Sequence, residues 1–274
     1  MATPRLRTEV VESCLADVLG ASLAPAIRRR LIVASGETAV LGGWMAWDQG
    51  DRATAERLYR LADTAAHEAD DPAIAACMLA YMSYATGADG DPHRAQQLLQ
   101  SARERISRSD VPATYAWLAA REAEELSVSD PGQALRLLER SLASYDRSSP
   151  SEERPWTAFL DGDRMASFAM TVNLKCGRID EARQIAARSL QATGPAKTWA
   201  LHVLELAATH LRTGSFDDGV DLTERALSGV LETEMTWGVP KLKELSRLLR
   251  SQHSSDLRAL RLSQQIDVVT QGNR

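Results

Sequence analysis

Arg121, Glu122, Glu124 and Glu125 crowd a guanidinium and three carboxylates into one short stretch, the kind of group that serves as acid and base in catalysis. Arg121 and Glu125, however, are four residues apart and would pair on the surface of a helix, so the cluster is expected to be a solvated face. Asp161, Asp163 and Arg164 form a second polar group at the start of a helix, where the dipole favours carboxylates in any case. A polar mouth for a ligand is its alternative reading. His67, His93, His202, His210 and His253 are dispersed and make no HExxH pair. Cys14, Cys77 and Cys176 show no CxxC or Cys/His spacing, so neither a metal nor a cofactor is expected and the thiols read as buried or inert. Phosphate-binding and nucleophile-elbow motifs are missing too. An enzyme would have to draw its acids and bases from Asp163, Glu205, His202 and His210 in a cleft.

What positions these residues is helical throughout. Leu, Ala, Ile and Val recur at i, i+3 and i+4, as in "AQQLLQSARERI" and "ALRLLERSLASY", and alternating strand patterns are almost absent. Brief turn signals interrupt the pattern, among them "GD", "DDP", "SDP", "CGRID" and "TGSFDD". In "WDQGDRATAERLYRLA", Gly50-Asp51 is followed by Ala55, Tyr59 and Ala62. The same offsets return after Gly90-Asp91 (Ala95, Leu99, Ala102), Ser129-Asp130 (Ala134, Leu138, Ser141), Gly177-Arg178 (Ala182, Ala186, Ser189) and Gly214-Ser215 (Gly219, Thr223, Ala226).

Those turns lie 40, 39, 48 and 37 residues apart, which marks an internal repeat. Glycine lets the chain leave one helix in a left-handed conformation, the acidic or hydroxyl residue after it caps the next, and a small residue four positions on lets the two helices close up. The pattern resembles the tetratricopeptide repeat, best in the first unit, where Gly43 is the small residue of the first helix and Tyr59 the aromatic of the second. The equivalents of Gly43 are Ser83, Glu122, Met170 and Ala207. Glu122 is therefore expected either to pair with a buried cation or to mark shifted packing. The resemblance implies an all-α, right-handed α-solenoid of about five degenerate hairpins over residues 33–231. N-terminal capping helices are expected at 1–32, C-terminal capping helices at 232–268 and a disordered tail at 269–274.

"LGGWMAWDQGDRATAERLYRLADTAAHEADDPAIAACMLAYMSY", "RPWTAFLDGDRMASFAMTVNLKCGRIDEARQIAARSL" and "VPKLKELSRLLR" also resemble the tetratricopeptide region of actinobacterial helix-turn-helix transcriptional regulators. That resemblance implies a sensor or oligomerisation module. Residues 1–32 are too few for the DNA-reading domain that precedes the repeats in that family, so direct nucleic-acid binding is not expected. A formal net charge of −5 agrees, since it gives no global attraction to a polyanion. With 274 residues, 44% of them hydrophobic, the chain can bury a large core in one extended domain or two compact ones. No apolar run approaches a membrane span and no secretory segment opens the chain, so a cytoplasmic location is expected. Lys241, Lys243, Arg247, Arg250, Arg258 and Arg261 make the C-terminal stretch locally basic, read as the solvated side of capping helices, with an acidic protein face or a phosphate backbone as alternatives.

In a solenoid the first helix of each pair lines a concave groove, the usual binding surface. The residues expected there are Trp44, Trp47, Tyr81, Tyr84, Arg164, Phe168, Lys175, Glu205 and Arg212. A Trp on a helical hairpin more commonly wedges between repeats than touches a ligand, so Trp44 and Trp47 carry both readings. Trp199 and Trp237 read as packing residues and Trp156 as a cap on the loop at 147–155. The function expected is a non-catalytic scaffold or sensor that binds a protein, a peptide or a small-molecule signal, in transcriptional or biosynthetic regulation. A homodimer is among the expected partnerships. The alternatives are an enzyme using the groove as its cleft and the sensor half of a split DNA-binding regulator.

Overall fold

The computed structural model describes residues 8–108, 110–189, 197–232, 238–252 and 254–271. Among the described residues the chain is all-helical, with fourteen α-helices and no strand. The first are α1 (Thr8–Gly20), α2 (Pro25–Asp48), α3 (Arg52–Glu68), α4 (Pro72–Ala88), α5 (Pro92–Glu104), α6 (Pro112–Leu126) and α7 (Pro131–Tyr145). The four-residue α8 (Pro150–Glu153) and a 3-10 turn, Pro155–Thr157, follow. Then come α9 (Gly162–Lys175), α10 (Ile179–Ser189), α11 (Lys197–Arg212), α12 (Phe216–Glu232), α13 (Val239–Gln252) and α14 (Leu257–Gln271). The helices form two compact units that divide between Asp161 and Gly162. None of the described helices is long and apolar enough to cross a membrane.

Neighbouring helices pack as hairpins: α2 with α3, α4 with α5 and α6 with α7 in the first unit, and α9 with α10, α11 with α12 and α13 with α14 in the second. Local chemistry explains their ends. Gly50, Gly90, Gly177 and Gly214 have φ of 81°, 90°, 78° and 82°, the left-handed region where a side chain would be strained. Asp51, Asp91 and Asp130 then accept the backbone N–H of Thr54, Arg94 and Gln133 at 3.1, 2.9 and 2.9 Å, each closing the open end of a second helix. Pro72, Pro92 and Pro131 occupy first-turn positions whose N–H has no helical partner to lose.

The recurring offsets lie on the buried faces of the second helices: Ala55, Tyr59 and Ala62 in α3, Ala95, Leu99 and Ala102 in α5, Ala134, Leu138 and Ser141 in α7, and Gly219, Thr223 and Ala226 in α12. Close approach is real at the first pair, where a Cβ on Gly43 would lie 2.6 Å from the Tyr59 ring. At the fifth pair of the series, α11 and α12, a Cβ on Gly219 would lie 2.7 Å from Leu211. Each unit buries its own aliphatic core, with Ile32, Val40, Leu58, Ile74, Leu99 and Leu118 in the first and Leu204, Leu211, Leu242, Leu245 and Ile266 in the second.

Two boundaries differ from the sequence reading. The break expected at residue 32 falls inside α2, because Pro25 starts that helix and nothing between Ala26 and Ser35 stops it. Ile32 is fully buried there, packed with Leu15, Ala65 and Ala69, so α1 covers the flank of the first hairpin. At the other end α14 continues to Gln271, and residues 272–274 lie outside the described residues.

Gly43→Ala is expected to lower stability by about 1–3 kcal/mol through overpacking against Tyr59. In urea unfolding the loss should be strongly non-additive with that of Tyr59→Leu, because the smaller side chain removes the clash. Additive losses would show that the two helices do not meet at this pair.

Candidate functional site

Helices α2, α4 and α6 lie side by side and turn a chain of aromatic rings onto one shared face. On the last turns of α2, Trp44 stacks on Trp47 with centroids 5.0 Å apart and an interplanar angle of 24°. It also stacks on Tyr81 of α4 at 5.1 Å and lies 5.4 Å from Tyr84. Tyr81 reaches Trp117 of α6 at 5.1 Å, and Trp117 meets the edge of Phe159 at 5.5 Å and 86°. The Trp117 indole N–H donates to the Tyr84 hydroxyl at 3.3 Å. Tyr81 and Trp117 are buried, Trp44, Trp47 and Tyr84 are half-buried, and Phe159 is 40% exposed. The middle of the ladder is thus core, and ring surface reaches solvent at both ends, at Trp44, Trp47 and Tyr84 on one side and at Phe159 on the other.

Of the residues expected in a groove, Trp44, Trp47, Tyr81 and Tyr84 are brought together. Trp117, Phe159 and Arg121 belong to the same face and were not expected there. Trp117 stands three residues after Thr114 and four before Arg121, so helical periodicity alone could have placed all three on one side of α6.

The Arg121 cluster is not the solvated face expected. Arg121 is only 6% exposed, its guanidinium 4.1 Å from the centre of the Tyr84 ring. It donates to Glu125 Oε1 at 2.5 Å and also to Glu124. The Tyr84 ring of α4 covers the guanidinium and accounts for this burial. Burial opposes the charge of Arg121, but Glu124, Tyr84 and Glu125 outweigh it and hold the guanidinium pKa above its usual value. Glu122 follows the first of its two expected readings: 2% exposed, it accepts a hydrogen bond from Arg103 Nε of α5 at 2.7 Å.

Segment 150–160 lies over the other end of the same face. Arg154 donates to Glu37 of α2 at 2.8 Å and to Asp71, the cap of α4, at 2.7 Å. Glu37 and Trp44 are seven residues apart on α2, hence on one side of it. Glu153 accepts the backbone N–H groups of Ala113 and Thr114 at 2.7 and 2.8 Å, capping α6 from a distant part of the chain. Trp156 is 1% exposed, donates to Thr114 Oγ1 at 3.0 Å and lies under the Arg154 guanidinium. The 48-residue interval between turns contains this strap. Trp156 was expected to cap a loop, and it anchors the strap on α6.

The second unit holds the remaining groove candidates. Arg164 lies over the ring of Phe168, which is 1% exposed and therefore a core side chain. Lys175 is exposed at the end of α9. Glu205 and Arg212 join one ion-pair network, Lys241 Nζ standing 3.0 Å from Glu205 and 3.3 Å from Glu244, which also pairs with Arg212. Glu205, Lys241, Glu244 and Arg247 help to line a pocket of about 380 Å³. The basic C-terminal stretch is balanced by distant acids: Arg250 pairs with Asp267, and Arg258 with Asp221 and Glu224. Cys14 is exposed, whereas Cys77 is buried and its thiol pKa is pushed up by burial. Among the described residues no three His, Cys, Asp or Glu side chains come together as a metal site. The side chains of Trp199 and His202, and residues Trp237 and His253, lie outside the described residues.

Burial, aided by the charge of Arg183, lowers the pKa of His210 below 6.5, and Asp218 opposes the shift only in part. The unfolded chain takes up this proton first as pH falls, so the contribution is complete above pH 6.5 and lost below it, as pH drops through the folded value. His210→Gln should flatten the fall in urea-unfolding free energy just below pH 6.5, between the unfolded value and the lower folded one. An unchanged slope would assign the acid sensitivity to other groups.

Comparison with protein-family models and with curated proteins finds no match to this chain.

Proposed function

We propose that the hairpins are tetratricopeptide-like repeats stacked in series as a right-handed solenoid of about five, and that the face shared by α2, α4 and α6 is the concave surface on which the protein binds a partner. The turn glycines, the aspartate caps and the Gly43–Tyr59 contact support the repeat reading. A single observation carries the functional one: an aromatic ladder runs unbroken across three helices and ends in half-exposed rings. Core packing alone would bury those rings, and amphipathic aromatics left at a surface are the residues on which binding energy concentrates. The occupant is a peptide or a protein segment with apolar side chains, a small-molecule signal and a second copy of the chain being the competing occupants. The role is regulatory and non-catalytic, in the cytoplasm, since the carboxylates of this face are committed to arginines rather than poised for proton transfer.

Peptides selected from a random library on the wild-type chain test this reading. Trp44→Ala and Trp47→Ala should each weaken the selected peptides by about tenfold or more, the loss expected for a buried aromatic anchor, with the far-ultraviolet circular dichroism unchanged. Peptides that bind wild type and both variants equally well would remove this face as the binding surface.

A further inference from the structure

Four groups hold the strap at 150–160, and none needs to be covalently joined to the face it covers. A guanidinium bridges two carboxylates on α2 and at the start of α4. A carboxylate caps α6, an indole fills the space beside Thr114, and a phenyl ring meets Trp117. The strap's own hydrogen bonds close only short turns, with no helix longer than four residues, so the side-chain contacts to α2, α4 and α6 are what seat it on this face. A separate chain with the same groups in the same order would fit the same ground.

We propose that this strap is an intramolecular ligand of the α2, α4 and α6 face. The partner it stands in for is a short protein segment coiled in tight helical turns, carrying an arginine, an indole two residues on and a phenyl ring three beyond that, as in Arg154, Trp156 and Phe159. The inference rests on the proposed function, whose binding face it shares, and it adds the partner's chemistry and the competition. The open rings of Trp44, Trp47 and Tyr84 lie next to the covered end, and Phe159, the most exposed anchor, marks the border. A partner that first engages the open rings displaces the strap from Phe159 inward, and Arg154 leaves Glu37 and Asp71 last.

The test is competition in trans. A labelled synthetic peptide of residues 149–161 is titrated by fluorescence anisotropy against the full chain and against its Arg154→Ala variant. Binding to the variant should be at least tenfold tighter than to wild type, and a peptide that itself carries Arg154→Ala should bind neither. Hydrogen exchange on wild type alone gives a second reading that survives any folding defect of the variant. The amides of Ala113 and Thr114 should exchange by a local opening, faster than buried amides in the middle of α4. Equal peptide affinity for variant and wild type, or exchange at Ala113 and Thr114 only together with the α4 core, would overturn the strap proposal. Neither result depends on Trp44 or Trp47, so the proposed function stands or falls separately.

Discussion

Everything in the first unit depends on how near α2 can come to α3. Gly43 has no side chain to hold the Tyr59 ring away, and with the helices in contact Trp44 and Trp47, on the last turns of α2, stand within stacking distance of α4. A larger residue would wedge the pair open and separate Trp44 from Tyr81 as well. One missing methyl group thus controls both the packing of a hairpin and the continuity of the aromatic face. The same logic recurs at Gly219 against Leu211, where the small residue is on the second helix instead of the first.

Charge placement follows from that packing. Arginines 103, 121 and 154 all end in carboxylates, and each is substantially buried. A buried ion pair contributes little net stability relative to apolar side chains of the same shape, but an unpartnered member is costly. Such pairs therefore select one arrangement of helices over near alternatives. Arg154 does so across the longest separation, tying residue 154 to Glu37 and Asp71 and fixing the strap over helices that the chain completed far earlier.

The features legible in the sequence are those with a local cause. Turn glycines and the aspartates after them need only their own neighbours, and Gly43 with Tyr59 follows from the repeat register. Trp44, Trp47, Tyr81 and Tyr84 could be placed together because each lies on the first helix of its pair at a spacing the helix dictates. Arg121 was misread because its burial comes from Tyr84 on another helix, and no periodicity within α6 reports that cover. The strap was visible only as a long interval. Its partners at Glu37 and Asp71 are chosen by tertiary packing, and no local pattern marks them.

The chain's six tryptophans allow the binding face to be read directly. In a proton–nitrogen correlation spectrum each contributes one indole N–H signal, assigned by single Trp→Phe variants, and a peptide selected on the wild-type chain is titrated in. Binding on the proposed face shifts the signals of Trp44, Trp47 and Trp117 and leaves those of Trp199 and Trp237 in place. Shifts confined to Trp199 and Trp237, with Trp44 and Trp47 unmoved at saturation, would contradict it.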